Sequence, residues 1–161
     1  MAEPSEAEPA EQRDSPGTNA GIYLDSSALA KLYVPEAESD RLDGFLRGRR
    51  GLMMSELAIT EVLSAVARRK REGVLNADQA LEIRDAVLTD ADSGSFDRLD
   101  LSPAVHREAE RLLLATDSLS LRTLDALHVA LALSGAATHV VTFDVRMRAA
   151  AAQAGLRVIE V

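Results

Sequence analysis

The sequence predicts an α/β domain in which a parallel sheet of about five strands is covered by helices on both faces. Short apolar runs alternate along the chain with longer segments whose apolar residues recur at helical spacing. Strands separated by helices pair in parallel through right-handed crossovers, which places helices on both sides of the sheet. A length of 161 residues is enough for one domain with a sizeable core.

The predicted strands are short segments rich in apolar residues. The first, Ile22 to Leu24, has the β-branched and aromatic composition of a strand that is buried on both faces. The third alternates, which is typical of a strand with one solvated face. The five predicted strands are residues 22–24, 51–54, 96–101, 139–143 and 157–161.

The predicted helices begin at capping residues and carry apolar residues at helical spacing. Ser26 or Ser27 is expected to cap the first helix, and Asn76 with Gln79 resembles a capping box. The segment 121–134 is apolar on almost every face, which predicts a buried helix. The predicted helices are residues 28–33, 36–48 and 55–72, a stretch after Asn76, a stretch from Ser102, and residues 121–134 and 145–154.

Composition limits the classes of protein to which this chain can belong. It has no cysteine, which excludes disulfide scaffolds and thiolate zinc sites and suits a reducing compartment. Its apolar runs are too short to cross a bilayer and no export signal is visible, so we expect a cytoplasmic protein without a membrane partner. The net charge of -8 argues against nucleic-acid binding through a positive field over the whole surface.

The first 20 residues differ in composition from the rest of the chain. They hold three of the five prolines, five acids and one base, and they lack periodic apolar residues. Such a segment cannot bury enough surface to offset its ordering entropy, so residues 1–20 are expected to be a disordered acidic tail. Residues 21–161 are then expected to form the folded domain.

Two aspartates come directly after predicted strands and directly before predicted helices. Asp25 follows the strand that ends at Leu24, and Asp144 follows the strand that ends at Phe143. The carboxyl ends of parallel strands lie at one edge of a sheet, where the loops face a common crevice. The sequence therefore predicts that both carboxylates line this crevice, although a role as helix cap alone would also explain Asp25.

Two further acids lie on predicted helices among apolar neighbours. Glu61 lies four residues before Ala65, on or beside the inward face of its helix. Asp125 shares its helix face with Leu121 and Val129, and that face carries no base. A buried carboxylate is costly unless it is paired or bound to a metal. The structural alternative for Asp125 is a favourable interaction with the helix dipole.

These two pairs of acids could converge on one crevice. Like charges held together at neutral pH need a cation. A set of oxygen ligands without cysteine suits Mg²⁺ or Mn²⁺ better than Zn²⁺. Such a site activates water and neutralises charge on a phosphodiester, with one metal ion or with two.

Four segments of the sequence, spread between about Ile22 and Val161, each carry one of these acids. They are DSSALAKLY, SELAITEVLSAVARR, LRTLDALHVALAL and VVTFDVRMRAAAAQAGLRVIEV. Together they resemble the successive acidic motifs of PIN-domain nucleases, and most closely those of VapC-type toxins of bacterial toxin-antitoxin pairs. The resemblance implies a Rossmann-like sheet and cleavage of RNA that depends on Mg²⁺ or Mn²⁺. It also implies a VapB-like antitoxin as partner and a homodimer.

The same resemblance assigns roles to individual residues. Hydrogen bonds from Ser27 and Thr142 would orient the acids of the site. No acid of the family pattern is missing, so the pattern gives no reason to expect an inactive nuclease. The catalytic and metal-binding acids would be Asp25, Glu61, Asp125 and Asp144.

Other polar residues permit weaker interpretations. His128 could support a ligand, although a core histidine with satisfied hydrogen bonds is the more typical interpretation. A basic cluster ends the Glu61 helix, where cations interact favourably with the helix dipole. The cluster could also contact RNA phosphates at the rim of the crevice. Its members are Arg68, Arg69, Lys70 and Arg71.

Two other functions stay open on the sequence. A phosphotransfer enzyme of the haloacid dehalogenase type also begins with a strand that ends in aspartate. Its chemistry needs a second aspartate two residues later, where this chain has Ser27. A non-catalytic PIN-like module that binds RNA or protein would keep the fold without the reaction. Metal-dependent cleavage of an RNA mixture distinguishes the nuclease from that module.

Overall fold

The computed structural model describes residue 17, residues 20–115 and residues 121–161. The predicted tail falls almost entirely outside these ranges, so its disorder stays a prediction. Five strands and seven helices follow one another within the described residues. None of these helices has the length and apolar character that crossing a membrane requires.

The strands form one parallel sheet, which confirms the predicted fold class. The order across the sheet is third, second, first, fourth and fifth strand in chain order, and every neighbouring pair is parallel. The first strand is therefore central, with Ile22 opposite Leu52 on one side and Leu24 opposite Val141 on the other. The strands are β1 (Ile22–Leu24), β2 (Leu52–Ser55), β3 (Asp97–Leu99), β4 (His139–Val141) and β5 (Arg157–Ile159).

The helices begin close to the predicted capping residues, with one correction. Asn76 and Gln79 form the predicted capping box. The first helix begins at Ser26, so the capping position falls on Asp25, and the prediction of a Ser26 or Ser27 cap is wrong. The helices are α1 (Ser26–Tyr33), α2 (Ser39–Leu46), α3 (Glu56–Arg71), α4 (Ala77–Asp92), α5 (Pro103–Ala115), α6 (Thr123–Ser134) and α7 (Val145–Gln153).

Each face of the sheet has its own core because successive strand side chains point to opposite sides. Tyr23 and Val140 point to the face on which α5, α6 and α7 pack. Leu24 and Met54 point to the other face, which α1 to α4 cover. Seven of the twelve residues of α6 are buried, as its apolar sequence predicts.

The strand order changes direction between β1 and β4, and this positions the site. The helices that follow β1 cover one face of the sheet, whereas those that lead into β4 cover the other. The loops after the two neighbouring strands therefore diverge and leave a crevice at their carboxyl ends. Asp25 follows β1 at this edge, and Asp144 lies three residues beyond the end of β4.

Candidate active site

Asp25 occupies the centre of the site because it follows the central strand. It is 3% exposed. Its Oδ1 accepts hydrogen bonds from the Ser27 hydroxyl (2.7 Å) and the Ala28 backbone N–H (2.9 Å). Its Oδ2 accepts one from the Thr142 hydroxyl (2.6 Å). The helix cap uses Oδ1 only. Among the described residues, Oδ2 accepts one hydrogen bond and so keeps a lone pair that can bind a ligand.

Two hydroxyl groups tie the loop after β1 to the loop after β4. Thr142 is 2% exposed; it donates to Asp25 and accepts a hydrogen bond from the Asp144 backbone N–H at 3.0 Å. Ser27 Oγ accepts a hydrogen bond from the Phe143 backbone N–H at 2.8 Å while it donates to Asp25. Both side chains therefore hold Asp25 by hydrogen bonds, and their supporting role in the activity stays a prediction.

Glu61 reaches the site from α3, where its side chain is 26% exposed. Its Oε2 lies 2.5 Å from Nε2 of His128, a buried residue of α6. Burial raises the pKa of Glu61, but the hydrogen bond and attraction from His128, with a hydrogen bond from Ser26, hold the pKa below its usual range. Glu61 is thus an ionised carboxylate at neutral pH. His128 is a core histidine with satisfied nitrogens and, at the same time, a partner of a candidate ligand.

Asp125 and Asp144 lie at helix starts on the rim of the site. Asp125 is half-buried, and its Oδ2 accepts a long hydrogen bond of 3.4 Å from the Arg122 backbone N–H. Asp144 is exposed, and its Oδ1 accepts from the backbone N–H groups of Arg146 (2.7 Å) and Met147 (3.3 Å). Each aspartate thus commits one oxygen to a helix start. Within the described residues, its other oxygen makes no hydrogen bond and is available to a ligand.

All four candidate acids line one crevice with a volume of about 400 Å³, together with Ser27, Arg122 and His128. The acids come from four separate parts of the chain, and the fold brings them to the same edge of the sheet. Burial raises the pKa of Asp25 against the opposing effects of its hydrogen bonds from Thr142, Ala28 and Ser27 and of the attraction of His128. The crevice therefore holds a carboxylate whose charge is disfavoured until a cation is nearby.

The donor chemistry of this crevice fits a hard divalent cation, because carboxylate oxygens are the ligands that Mg²⁺ and Mn²⁺ prefer. In the described parts of the chain, no three Asp, Glu or His side chains are grouped so that they could hold a metal ion as they stand. The carboxylates therefore share a cavity without forming a complete coordination sphere. They would have to draw together around an ion.

A second groove, of about 330 Å³, adjoins the acid crevice and shares Ser26, Ser27 and Glu61 with it. We call it the basic groove because Lys31, Arg68 and Arg69 also line it. Of the four basic residues predicted to contact RNA, Arg68 and Arg69 lie here. Lys70 and Arg71 do not line either groove.

Carboxylates already hold two of the three cations of the basic groove. Lys31 Nζ lies 2.6 Å from Glu36 and 2.7 Å from Glu38, and Arg69 lies 2.5 Å from Glu36. Arg68 forms no ion pair with a carboxylate of the described residues and is exposed. Arg68 is therefore the groove cation that is most available to an anion from solution.

Sequence reasoning missed Lys31, Tyr23 and Ser55. The Tyr23 hydroxyl lies 2.7 Å from Nδ1 of His128 and 2.8 Å from Oγ of Ser55. A buried tyrosine needs a partner for its hydroxyl, so a tyrosine in an apolar strand is a signal that a polar contact exists. No sequence signal identifies His128 as that partner, because 105 residues separate the two.

Comparison with known proteins identifies the family of this chain. The family model of the PIN domain matches residues 22–153. The chain belongs to the PIN domain family. This PIN domain is 39% identical over 142 residues to ribonuclease VapC46 of Mycobacterium tuberculosis, and the alignment covers 87% of this chain and 97% of that protein. It is 33% identical over 143 residues to ribonuclease VapC35 of the same organism, and that alignment covers 86% of this chain and 95% of VapC35. The resemblance to VapC-type proteins is confirmed.

Solved structures share the fold of this PIN domain at low sequence identity. The sarcin-ricin loop cleaving toxin VapC20 of Mycobacterium tuberculosis superposes with a TM-score of 0.64 at 18% identity, covering 80% of this chain and 94% of that one. FitAcB of Neisseria gonorrhoeae superposes with a TM-score of 0.66 at 17% sequence identity, and the match covers 86% of this chain and 96% of that one. VapBC2 of Rickettsia felis, bound to a promoter DNA fragment, superposes with a TM-score of 0.61 at 15% identity, with the same two coverages of 86% and 96%. At these identities the likeness supports the fold alone.

Proposed function

We propose that this PIN domain is a metal-dependent endoribonuclease and the toxin of a type II toxin-antitoxin pair. One observation carries the proposal: four carboxylates from separate parts of the chain line a single crevice at the carboxyl edge of the sheet. The relatives at 39% and 33% identity are ribonucleases, which favours RNA as the substrate. The expected partner is a VapB-like antitoxin, and the expected state is a cytoplasmic homodimer.

The side chains of the site are prepared for a cation before it binds. Asp25 is fixed by three hydrogen bonds, and Glu61 is ionised and held by His128. Asp125 and Asp144 each offer one oxygen from a helix start. When bound, Mg²⁺ or Mn²⁺ supplies the Lewis acidity that activates water and neutralises charge on the phosphodiester. Hydrogen bonds already orient Asp25 and Glu61, so the movement that metal binding requires falls mainly on Asp125 and Asp144 at the rim.

A chain with a net charge of -8 repels RNA, which is a polyanion, so RNA binding needs a local cluster of cations such as the basic groove. RNA phosphates are repelled by the acid crevice when it holds no metal, but the adjoining groove presents Arg68, which no carboxylate of the described residues pairs, beside Lys31 and Arg69, which Glu36 and Glu38 hold. Cations at this position bind the backbone of RNA without reading its sequence. We infer that the strand runs along the basic groove and enters the crevice at Glu61, which lines both.

Arg68→Ala is expected to weaken RNA binding several-fold and to lower the slope of log affinity against log salt by about 0.7, the value for one phosphate contact of a single strand. The measurement is fluorescence anisotropy with a labelled RNA at several salt concentrations, with chelator present so that cleavage does not interfere. Arg71→Ala removes the same charge from the same helix end but outside the groove. Equal effects of the two substitutions would show that the groove does not bind RNA.

Incubation of the purified chain with an RNA mixture tests the proposed function. We expect cleavage in Mg²⁺ or Mn²⁺ and none in excess chelator, because the carboxylates alone supply no Lewis acid. Attack by water leaves no 2′,3′-cyclic phosphate at the new ends, which end-group analysis of the products detects. Cleavage that persists in chelator and yields cyclic phosphates would contradict the metal mechanism.

The same assay addresses the alternatives. A non-catalytic PIN-like module would bind RNA and leave it intact in every metal. A phosphotransfer enzyme of the haloacid dehalogenase type would act on small phosphate esters instead. The position at which that chemistry needs an acid carries Ser27, whose hydroxyl is engaged between Asp25 and Phe143.

A further inference from the structure

A series of side chains, connected by hydrogen bonds, leads from the core of the domain to Glu61. Nε2 of His128 lies 2.5 Å from Glu61 Oε2, and Nδ1 lies 2.7 Å from the Tyr23 hydroxyl. The Tyr23 hydroxyl lies 2.8 Å from Ser55 Oγ, which accepts a hydrogen bond from the Ala58 backbone N–H at 3.1 Å. This hydrogen-bonded series therefore connects four elements: Tyr23 in β1, Ser55 in β2, Glu61 in α3 and His128 in α6.

Glu61 and His128 line the crevice, whereas Tyr23 and Ser55 lie behind them in the core. Tyr23 and Ser55 are 0% exposed and His128 is 3% exposed, whereas 26% of the Glu61 side chain is exposed. Buried polar atoms are costly when they lack partners, and here each polar atom of the buried members has one. Packing and hydrogen bonding thus fix the imidazole ring in one orientation.

The groups at the two ends determine the directions of the hydrogen bonds. An ionised carboxylate can only accept, so Nε2 of His128 donates to Glu61. The Tyr23 hydroxyl has a proton that it can donate to Nδ1 across the 2.7 Å contact. Ser55 accepts from Ala58 and has its own proton to donate to the Tyr23 oxygen.

We propose that His128 is a positioning residue for Glu61, and that Tyr23 and Ser55 hold the imidazole so that Nε2 donates into the crevice. Glutamate has a long side chain that samples several rotamers when it is partly exposed. A short hydrogen bond to a fixed ring selects one of them. Asp25 is held independently by the hydroxyls of Ser27 and Thr142, so the two acids are oriented by separate devices. The inference rests on the proposed function, in which Glu61 helps to bind the metal.

Two substitutions at His128 distinguish its two ring nitrogens. His128→Gln places an amide nitrogen near the position of Nε2 and keeps a donor for Glu61. His128→Asn places an amide nitrogen near Nδ1, keeps a partner for Tyr23 and removes the donor to Glu61. Because both variants lose the ring, a merely structural role would affect them alike.

The readout is Mn²⁺ affinity by isothermal titration calorimetry, with metal-free melting temperatures measured beside it. We expect His128→Asn to weaken Mn²⁺ binding about 10- to 100-fold, the usual effect of losing a group that orients a metal ligand. His128→Gln should restore most of this loss. If both variants bind Mn²⁺ as tightly as the wild type, or weaken by the same factor, the positioning role is overturned.

Tyr23→Phe provides a second test that does not alter the histidine. It removes the hydroxyl that holds Nδ1 and is expected to weaken Mn²⁺ binding several-fold, by loosening the ring rather than removing the donor. Tyr33→Phe is the matched control, because it removes the other tyrosine hydroxyl, which contacts Asp90 at 3.1 Å. If the His128 variants do not fold, equal Mn²⁺ affinities of Tyr23→Phe, Tyr33→Phe and wild type overturn the inference.

The wild type in the same titration separates this inference from the proposed function. A wild type that binds no Mn²⁺ and cleaves no RNA overturns the proposed function and the role of His128 with it. A wild type that binds Mn²⁺, with a His128→Asn variant that binds equally well, overturns the role of His128 alone.

Discussion

Asp25→Asn is expected to lower the rate of metal-dependent RNA cleavage about a thousandfold, equivalent to about 4 kcal/mol of transition-state stabilisation. Asparagine keeps the shape of the side chain, and its carbonyl oxygen can still accept from Ser27 and Ala28 in the place of Oδ1. The amide nitrogen that replaces Oδ2 cannot bind a cation. The cap of α1 is preserved, and the amide nitrogen can donate to Thr142 Oγ1 where Oδ2 accepted from it, so we expect the loss to be chiefly chemical.

Single-turnover cleavage of a labelled RNA at saturating Mg²⁺ measures this effect. Asp97→Asn is the matched control, since Asp97 is an exposed aspartate of the edge strand β3 and does not line the crevice. We expect its cleavage rate to equal that of the wild type. An Asp25→Asn protein that cleaves at nearly the control rate would remove Asp25 from the catalytic machinery.

The same substitution is expected to stabilise the protein when no metal is present, by on the order of 1 kcal/mol at neutral pH. Burial raises the pKa of Asp25 in the folded state, so the folded chain binds this proton more tightly than the unfolded chain does. Stability from this group therefore falls as pH rises from the ordinary aspartate pKa of about 3.9 through the raised folded value. Asparagine carries no charge and escapes this loss.

Thermal melts in chelator at a series of pH values test the sign of the effect. The difference in melting temperature, variant minus wild type, should grow with pH across that window and stay positive above it. Taking the difference cancels the contributions of other acids such as Glu36 and Glu61, whose pKa values are lowered. The corresponding difference for Asp97→Asn should be flat. A variant that is less stable than the wild type at every pH would mean that Asp25 serves mainly as a helix cap.

Much of the fold could be predicted because hydrophobic periodicity marks each element independently. Strand β1 is apolar throughout, β4 is apolar apart from His139, and α6 is apolar on nearly every face. The predicted strand 96–101 is shorter in the structure, Asp97–Leu99, because it lies at the sheet edge and pairs only with β2. Strand order was not predictable in this way, since it depends on which crossover packs on which face.

The candidate acids could be predicted because each violates its local pattern. Asp25 and Asp144 follow apolar strands, and Glu61 and Asp125 interrupt apolar helix faces. Their assembly in one crevice follows from the parallel sheet. Their roles as metal ligands stay a proposal.

The groups that hold these acids were less accessible to sequence reasoning. The contact of Tyr23 with His128 joins β1 to α6 and requires the packed domain. The position of Arg68 around the helix axis, relative to Glu61, could have distinguished it from Lys70 and Arg71 on the sequence alone. It lies seven residues, close to two full turns, after Glu61, and therefore on the same side of α3.

Anomalous X-ray diffraction from crystals soaked in Mn²⁺ tests most directly whether the four carboxylates form a metal site. We expect a strong anomalous peak in the crevice, about 2.0–2.3 Å from Asp25 Oδ2, with Glu61, Asp125 and Asp144 drawn toward it. We expect no such peak in crystals of Asp25→Asn. A crevice that stays without Mn²⁺ in a protein that cleaves RNA, or a peak that other residues coordinate, would show that the four carboxylates are not the metal site.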